Sequence, residues 1–150
     1  MEANDYDLSK FSLSERQQFF NNGFKCPYCF KETDLIDSGK VYQQSYGLIY
    51  YCAGCKSLVN CHSGGDQALG TLAKKDLRDL RHKFHEKFDV LWQIKINAGT
   101  KRKQAQAAAR KWLASKMGLD IVETHAGMFN KAQCKQAIEL CEEVYRHLEV

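Results

Sequence analysis

The sequence predicts an α+β fold in which a small three-stranded ribbon packs against a mostly helical C-terminal module of three helices. Three observations predict it. Two C-x-x-C pairs, Cys26-Pro27-Tyr28-Cys29 and Cys52-Ala53-Gly54-Cys55, stand 22 residues apart. The stretch that runs into and out of the second pair is rich in β-branched and aromatic residues, with Gly47 as a turn. Beyond it, apolar residues recur at three- and four-residue steps in three separate runs.

The paired cysteines come first because they organise the ribbon. Each C-x-x-C turns two sulfurs inward from a tight loop, and two such loops offer four thiolates at the corners of a tetrahedron. Zinc accepts that arrangement readily. The expected site is therefore one structural Zn2+ held by Cys26, Cys29, Cys52 and Cys55, although the spacing would also suit a single iron. Two disulfides would need an oxidising compartment. A redox C-x-x-C would be expected once, beside a βαβ pattern that the sequence lacks. Four thiolates fill all four positions and leave none for water or substrate, which argues against catalysis at this metal. Pro27 stiffens the first loop, and Gly54 is expected to supply an unusual backbone angle in the second.

At 150 residues, with 44% hydrophobic and 27% charged side chains, the chain can build a globular core. No run of about 18 apolar residues suggests a membrane span. The start of the chain is polar and acidic, unlike a signal peptide, and with seven cysteines this predicts a reducing cytoplasmic setting. The net charge of +4 is too small to argue for nucleic acid by itself. Only residues 101–119 are distinctly basic, with six cationic and no acidic side chains.

Three regions are expected: a tail and short helix over 1–23, the ribbon over 24–63 and the helical module over 64–150. Residues 1–10 read as frayed. Ser12 and Glu15 form a capping box for a helix reaching about Phe20, with Phe19 and Phe20 packing on the ribbon. The strands are expected at Val41–Tyr46, Leu48–Tyr51 and Ser57–Cys61. Burial of Tyr42, Tyr46, Tyr50 and Tyr51 is favoured over base stacking, because so small a ribbon has few other apolar groups. The loop 62–70 carries three glycines but lacks the Gly-Lys-Ser/Thr ending of a phosphate loop.

Thr71 reads as the cap of a long helix starting near Leu72, with Leu77, Leu80, Phe84, Phe88 and Leu91 as its stripe. Thr100 reads as the cap of the next, which is expected to bury Ala105, Ala108, Ala109, Trp112, Leu113 and Lys116–Met117 and to stop at Gly118. Ile121-Val122 reads as extended. Asn130 and Gln133 make a second capping box for the last helix, which places Cys134 and Cys141 in the core rather than at a metal.

A second group of residues is chemically loaded. His85 and Asp89 are four apart and meet on one helix face, with Trp92 one turn on. His62 and His125 lie in glycine-containing loops. Convergence of His62, His85, Asp89, Trp92 and His125 would suit a ligand or nucleic-acid groove, a second metal with open positions, or an acid–base pair. The plainer reading is a polar network that pins loops to the helix.

Taken together these segments resemble a family of zinc-finger-containing proteins of unknown function found in bacteria and phages. The residues that carry the resemblance run from Cys26-Pro27-Tyr28-Cys29 through Tyr51-Cys52-Ala53-Gly54-Cys55 and Cys61-His62-Ser63-Gly64. They continue with Leu69-Gly70-Thr71-Leu72-Ala73, Phe88-Asp89-Val90-Leu91-Trp92, Trp112-Leu113-Ala114 and His125-Ala126-Gly127-Met128-Phe129. Ala68, Arg110 and Thr124 depart from its pattern. The resemblance implies the zinc and the integrity of the domain, and no activity.

Three functions are therefore weighed. The first is a zinc-stabilised binding module for nucleic acid or a nucleic-acid-handling protein, using Lys101, Arg102, Lys103, Arg110 and Lys111. Against it stands a merely solvated helix face. The second is a phage-type adaptor or inhibitor that binds a host protein. The third is a metal-dependent hydrolase built on the His/Asp group, which lacks paired carboxylates and a nucleophile motif. No membrane partner and no small-molecule cofactor are expected.

Overall fold

A computed structural model describes residues 4–148 of the chain and the side chains of residues 4–147. The fold is α+β, a three-stranded antiparallel sheet with three long helices after it. The chain divides into two compact units, Met1–Arg78 and Asp79–Val150. No helix among the described residues is long and apolar enough to cross a membrane.

The first unit begins with an anchored segment. Residues 1–3 of the expected frayed tail lie outside the described residues, but from Tyr6 onward the expectation fails. Tyr6 and Leu8 are buried, and the Tyr6 hydroxyl shares a 2.7 Å hydrogen bond with Thr71 Oγ1. The Tyr6 ring meets Tyr28 edge-on at 5.3 Å. Two apolar side chains in a polar stretch are enough to dock it, because each is buried and the tyrosine finds aromatic and hydroxyl partners in the same unit.

Helix α1 (Leu13–Glu15) carries the expected capping box, Ser12 accepting from the Glu15 N–H and Glu15 accepting from the Ser12 N–H. It continues as one π-helical turn over Arg16–Phe20. Phe20 is fully buried, its ring 5.0 Å from Phe11 and 5.8 Å from Phe30 of the first cysteine loop.

Strand β1 is Asp34–Asp37, β2 is Leu48–Cys52 and β3 is Ser57–Asn60. β1 pairs with β2 from Asp34 opposite Tyr51 to Asp37 opposite Leu48. β2 pairs with β3 from Ile49 opposite Asn60 to Cys52 opposite Ser57. The first strand is thus not Val41–Tyr46. Asp37 stops the ladder by accepting from the Gly39 N–H, which opens a 3-10 turn over Ser38–Lys40. Ser38 then closes the loop, its N–H on the Gly47 carbonyl and its hydroxyl on the Tyr46 N–H. The tyrosines separate accordingly. Tyr50 is buried, Tyr51 is half-buried, and Tyr42 and Tyr46 on the loop are exposed, Tyr46 at 68%.

Strand alternation sends Tyr50 and Cys52 to one face of β2. There they pack with Val59, Cys26 and Leu72. Residue 73 extends the sheet, since Leu58 and Ala73 exchange both backbone hydrogen bonds. This is why Thr71 caps no helix. It is buried in a strand-like approach, and α2 begins at Lys75 and runs to Asn97.

In the second unit α3 spans Arg102–Met117 and α4 spans Lys131–Leu148. Lys101, not Thr100, occupies the α3 N-cap and supplies no side-chain cap. Gly118 ends α3 in the left-handed conformation as expected, φ 66°. Ile121–Glu123 is a 3-10 turn capped by Asp120 rather than an extended piece. Asn130 and Gln133 form the second capping box. Trp92 of α2 packs against Ala105 and Ala109 of α3. Cys134 and Cys141 are fully buried core residues, and burial pushes the Cys141 thiol up to about 12.

Candidate metal centre

The four cysteines of the two loops come together. One Sγ from each of Cys26, Cys29, Cys52 and Cys55 lies within 4.8 Å of the other three. Cys29 and Cys52 Sγ are 3.7 Å apart. A tetrahedral zinc with Zn–S of about 2.3 Å has sulfur–sulfur edges of about 3.8 Å, so the donor set fits one zinc ion in number, chemistry and spacing. Among the described residues this is the one group of three or more potential ligands close enough to hold a metal.

Both loops are built alike. The residue after each pair, Phe30 and Lys56, adopts the left-handed conformation with φ of 65° and 54°. Gly54 does not, and a Cβ there would meet nothing within 4 Å. The strain sits one residue past the second sulfur, where the chain must reverse for Phe30 N–H to reach the Cys26 carbonyl and Cys26 N–H the Lys31 carbonyl. A non-glycine residue in this region costs roughly 1–2 kcal/mol. A metal that locks both sulfurs offsets it.

The four thiols sit in unequal surroundings. Burial pushes the Cys26 thiol up, and burial together with the neighbouring thiols pushes Cys55 up to about 12. Burial also raises Cys29, but hydrogen bonds to the Lys31 backbone and to the other three thiols outweigh it and bring that group down. Cys26 Sγ also lies 3.2 Å from Ser57 Oγ. Ser57 is fully buried and ties the start of β3 to the first cysteine loop. Nothing local in the sequence marks this role, because no short-range pattern pairs a serine with a sulfur 31 residues away.

The other polar candidates divide between the units. His62 lines a cleft of about 550 Å³ in the first unit with Tyr46, Leu48, Cys61 and Asp66. His85, Asp89, Trp92 and His125 line a cleft of about 160 Å³ in the second, with Phe84, Gln106, Arg110 and Thr124. There Asp89 Oδ1 accepts from Trp92 Nε1 at 3.0 Å and lies 3.8 Å from His85 Nδ1. Buried Arg81 donates from Nε to the Phe129 carbonyl at 3.0 Å. Of the basic candidates, Lys101, Arg102, Lys103, Arg110 and Lys111 are all exposed, and Arg102 lies over the Trp92 ring at 5.1 Å. Gln106 is a cleft residue that the sequence reading misses. The available signal is its four-residue spacing to Arg110 beside the alanine face of α3.

Burial holds the His125 imidazole below its ordinary pKa, reinforced by Arg110, Arg81 and His85 and opposed by Glu123. A histidine with a depressed folded pKa gives stability that is intact above its unfolded value of 6.5 and is lost as pH falls through the folded one. We therefore expect the second unit to lose stability on acidification below about pH 6.5. His125→Gln should flatten that slope in denaturant titrations run at several pH values. An unchanged slope would show that His125 does not cause it.

The family model of a zinc-finger-containing domain matches residues 22–144. No curated protein and no solved structure matches the chain.

Proposed function

The chain belongs to the zinc-finger-containing domain family, and from that premise we propose that it is a zinc-stabilised binding module whose basic α3 helix engages nucleic acid through phosphates. One observation carries this reading. Lys101, Arg102 and Lys103 stand at the N-terminus of α3, with no acidic residue in the first turn and no side-chain cap. The helix dipole disfavours cations at that end by about 0.3–1 kcal/mol each. The Trp92 ring answers Arg102, but Lys101 and Lys103 work against the helix, and an arrangement that costs stability locally is where a functional demand is expected. A phosphate placed there would answer the cations, the open N–H groups and the dipole together. Lys103 and Arg110 are seven residues apart and so lie two turns apart on one side of α3.

The test exploits the conflict. Lys101→Glu with Lys103→Glu should leave the melting temperature unchanged or raised, while weakening binding to single- or double-stranded oligonucleotides. The log–log salt slope should become shallower by about 0.7–0.9 for each phosphate that is no longer neutralised. No binding at low salt, or binding flat in salt, would remove the reading.

A protein partner is the second reading. The observation in its favour is the exposed apolar group Leu35, Val41, Tyr42, Tyr46 and Leu48 on β1, β2 and their loop. Such residues crowd protein-binding surfaces more than solvated ones.

A further inference from the structure

The cleft of the second unit joins aromatic and polar side chains, and neither the zinc site nor the α3 N-terminus accounts for the charge arranged around it. It encloses about 160 Å³ between α2, α3 and the segment Thr124–Ala126. One wall is aromatic, with Phe84, Phe88 and Trp92. The other is polar, with His85, Gln106, Arg110 and His125. The acidic group on the cleft wall, Asp89, is already engaged by Trp92 Nε1 and stands beside His85. Arg110 has no carboxylate partner among the described residues. The His125 imidazole has no side-chain hydrogen bond among them, although its backbone is fixed by the Met128 N–H on its carbonyl.

The sign of the charge decides what such a cleft accepts. Arg110 and Arg81 both act on His125 as repelling cations, and Glu123 only partly opposes them. A second metal ion would add to that repulsion, and His85, Asp89 and His125 do not form a three-ligand group. An anion would relieve it. Arg110 offers a planar fork of N–H donors suited to two oxygens of one tetrahedral anion. A neutral imidazole offers one N–H, and a protonated one offers two. The Gln106 amide adds two more donors on the same side of α3, four residues from Arg110. The volume of about 160 Å³ is enough for a phosphoryl group.

We propose that this cleft is a phosphate-ester site in which Arg110, His125 and His85 bind the phosphoryl oxygens and Trp92 forms the floor. This goes beyond the nucleic-acid reading. That reading needs phosphates along the α3 N-terminus, whereas the cleft takes a single phosphoryl group, from either a nucleic-acid end or a small phosphate ester.

The zinc-loaded full chain is titrated with inorganic phosphate, followed by tryptophan fluorescence and by the imidazole proton shifts of His85 and His125. Saturable perturbation of both histidines and of Trp92 is expected. Arg110→Ala, at an exposed helix position, should weaken phosphate at least tenfold, while Lys116→Ala, exposed in the last turn of the same helix, should leave it unchanged. Equal binding by wild type and Arg110→Ala, or phosphate that perturbs neither histidine, would overturn the proposal.

Oligonucleotides of one sequence with a 5′-phosphate or a 5′-hydroxyl then identify the source. Tighter, Arg110-dependent binding of the phosphorylated form supports a nucleic-acid end. Equal binding of the two, with phosphate still bound, supports a small phosphate ester. Salt-dependent oligonucleotide binding that survives in Arg110→Ala, in a protein that ignores phosphate, would sink the cleft and leave the α3 reading standing.

Discussion

Stripping the metal with a chelator, or replacing Cys26 by serine, is expected to unfold the ribbon. Zinc bound to four thiolates in small modules contributes roughly 10–16 kcal/mol at neutral pH, and that binding energy is folding energy. Whole domains are stable by only about 5–15 kcal/mol. The ribbon has little with which to replace it. The apolar cluster around Tyr50 and Val59 itself includes Cys26 and Cys52, and the two left-handed residues after the cysteine pairs must still be held. Cys26 is the most sensitive position because it is fully buried and its sulfur meets Ser57. A serine there would add a buried hydroxyl and remove a ligand. Amide signals of Ile49–Cys52 and Leu58–Val59 should collapse in either case and return when zinc is restored to the wild-type chain. Affinity for zinc should also fall steeply as pH falls, because protons compete for the thiolates. If chelation leaves those signals and the ribbon's hydrogen-exchange protection intact, the metal is not what holds this unit.

How far the sequence discloses this molecule depends on whether the deciding interaction is local. The metal ligands are legible because each cysteine pair closes within four residues. The capping boxes at Ser12–Glu15 and Asn130–Gln133 and the stop at Gly118 are legible for the same reason. The larger departures trace to distant partners or to a competing short turn. Thr71 looks like a helix cap, yet its hydroxyl goes to Tyr6, 65 residues away. The tyrosine-rich run 41–46 has the composition of a strand, but the carboxylate of Asp37 starts a turn before it and hands the strand to Asp34–Asp37. Of the second polar group, the four-residue spacing of His85 and Asp89 can be read directly. That His125 lines the same cleft, and that Arg110 joins it, depends on how α3 and the 124–126 segment meet α2, which no local pattern encodes.

Phe84→Ala should be the most damaging single substitution in the second unit. Phe84 is 1% exposed, its ring stacked on Phe88 at 5.2 Å and edge-on to Phe129 at 5.3 Å. Truncating a buried phenylalanine costs about 3–5 kcal/mol, through lost transfer energy and the cavity left behind. The aromatic neighbours add to that, because each well-placed ring pair contributes roughly 0.5–1.5 kcal/mol beyond area. In a unit of this size each kcal/mol lowers the midpoint by roughly 4–8 °C. Val90→Ala, on the exposed side of the same helix, is the control and should move stability by no more than about 0.5 kcal/mol. Residue-resolved hydrogen exchange would check both. Phe84→Ala should lower protection across α2 and α4, and a loss below about 1 kcal/mol would mean the ring cluster is not the core of this unit. Because Phe84 is also a wall of the His125 cleft, Phe84→Leu is the informative companion. It keeps most of the apolar volume and should retain most of the stability. A change in the His125 titration in that variant would then report on the shape of the cleft rather than on unfolding.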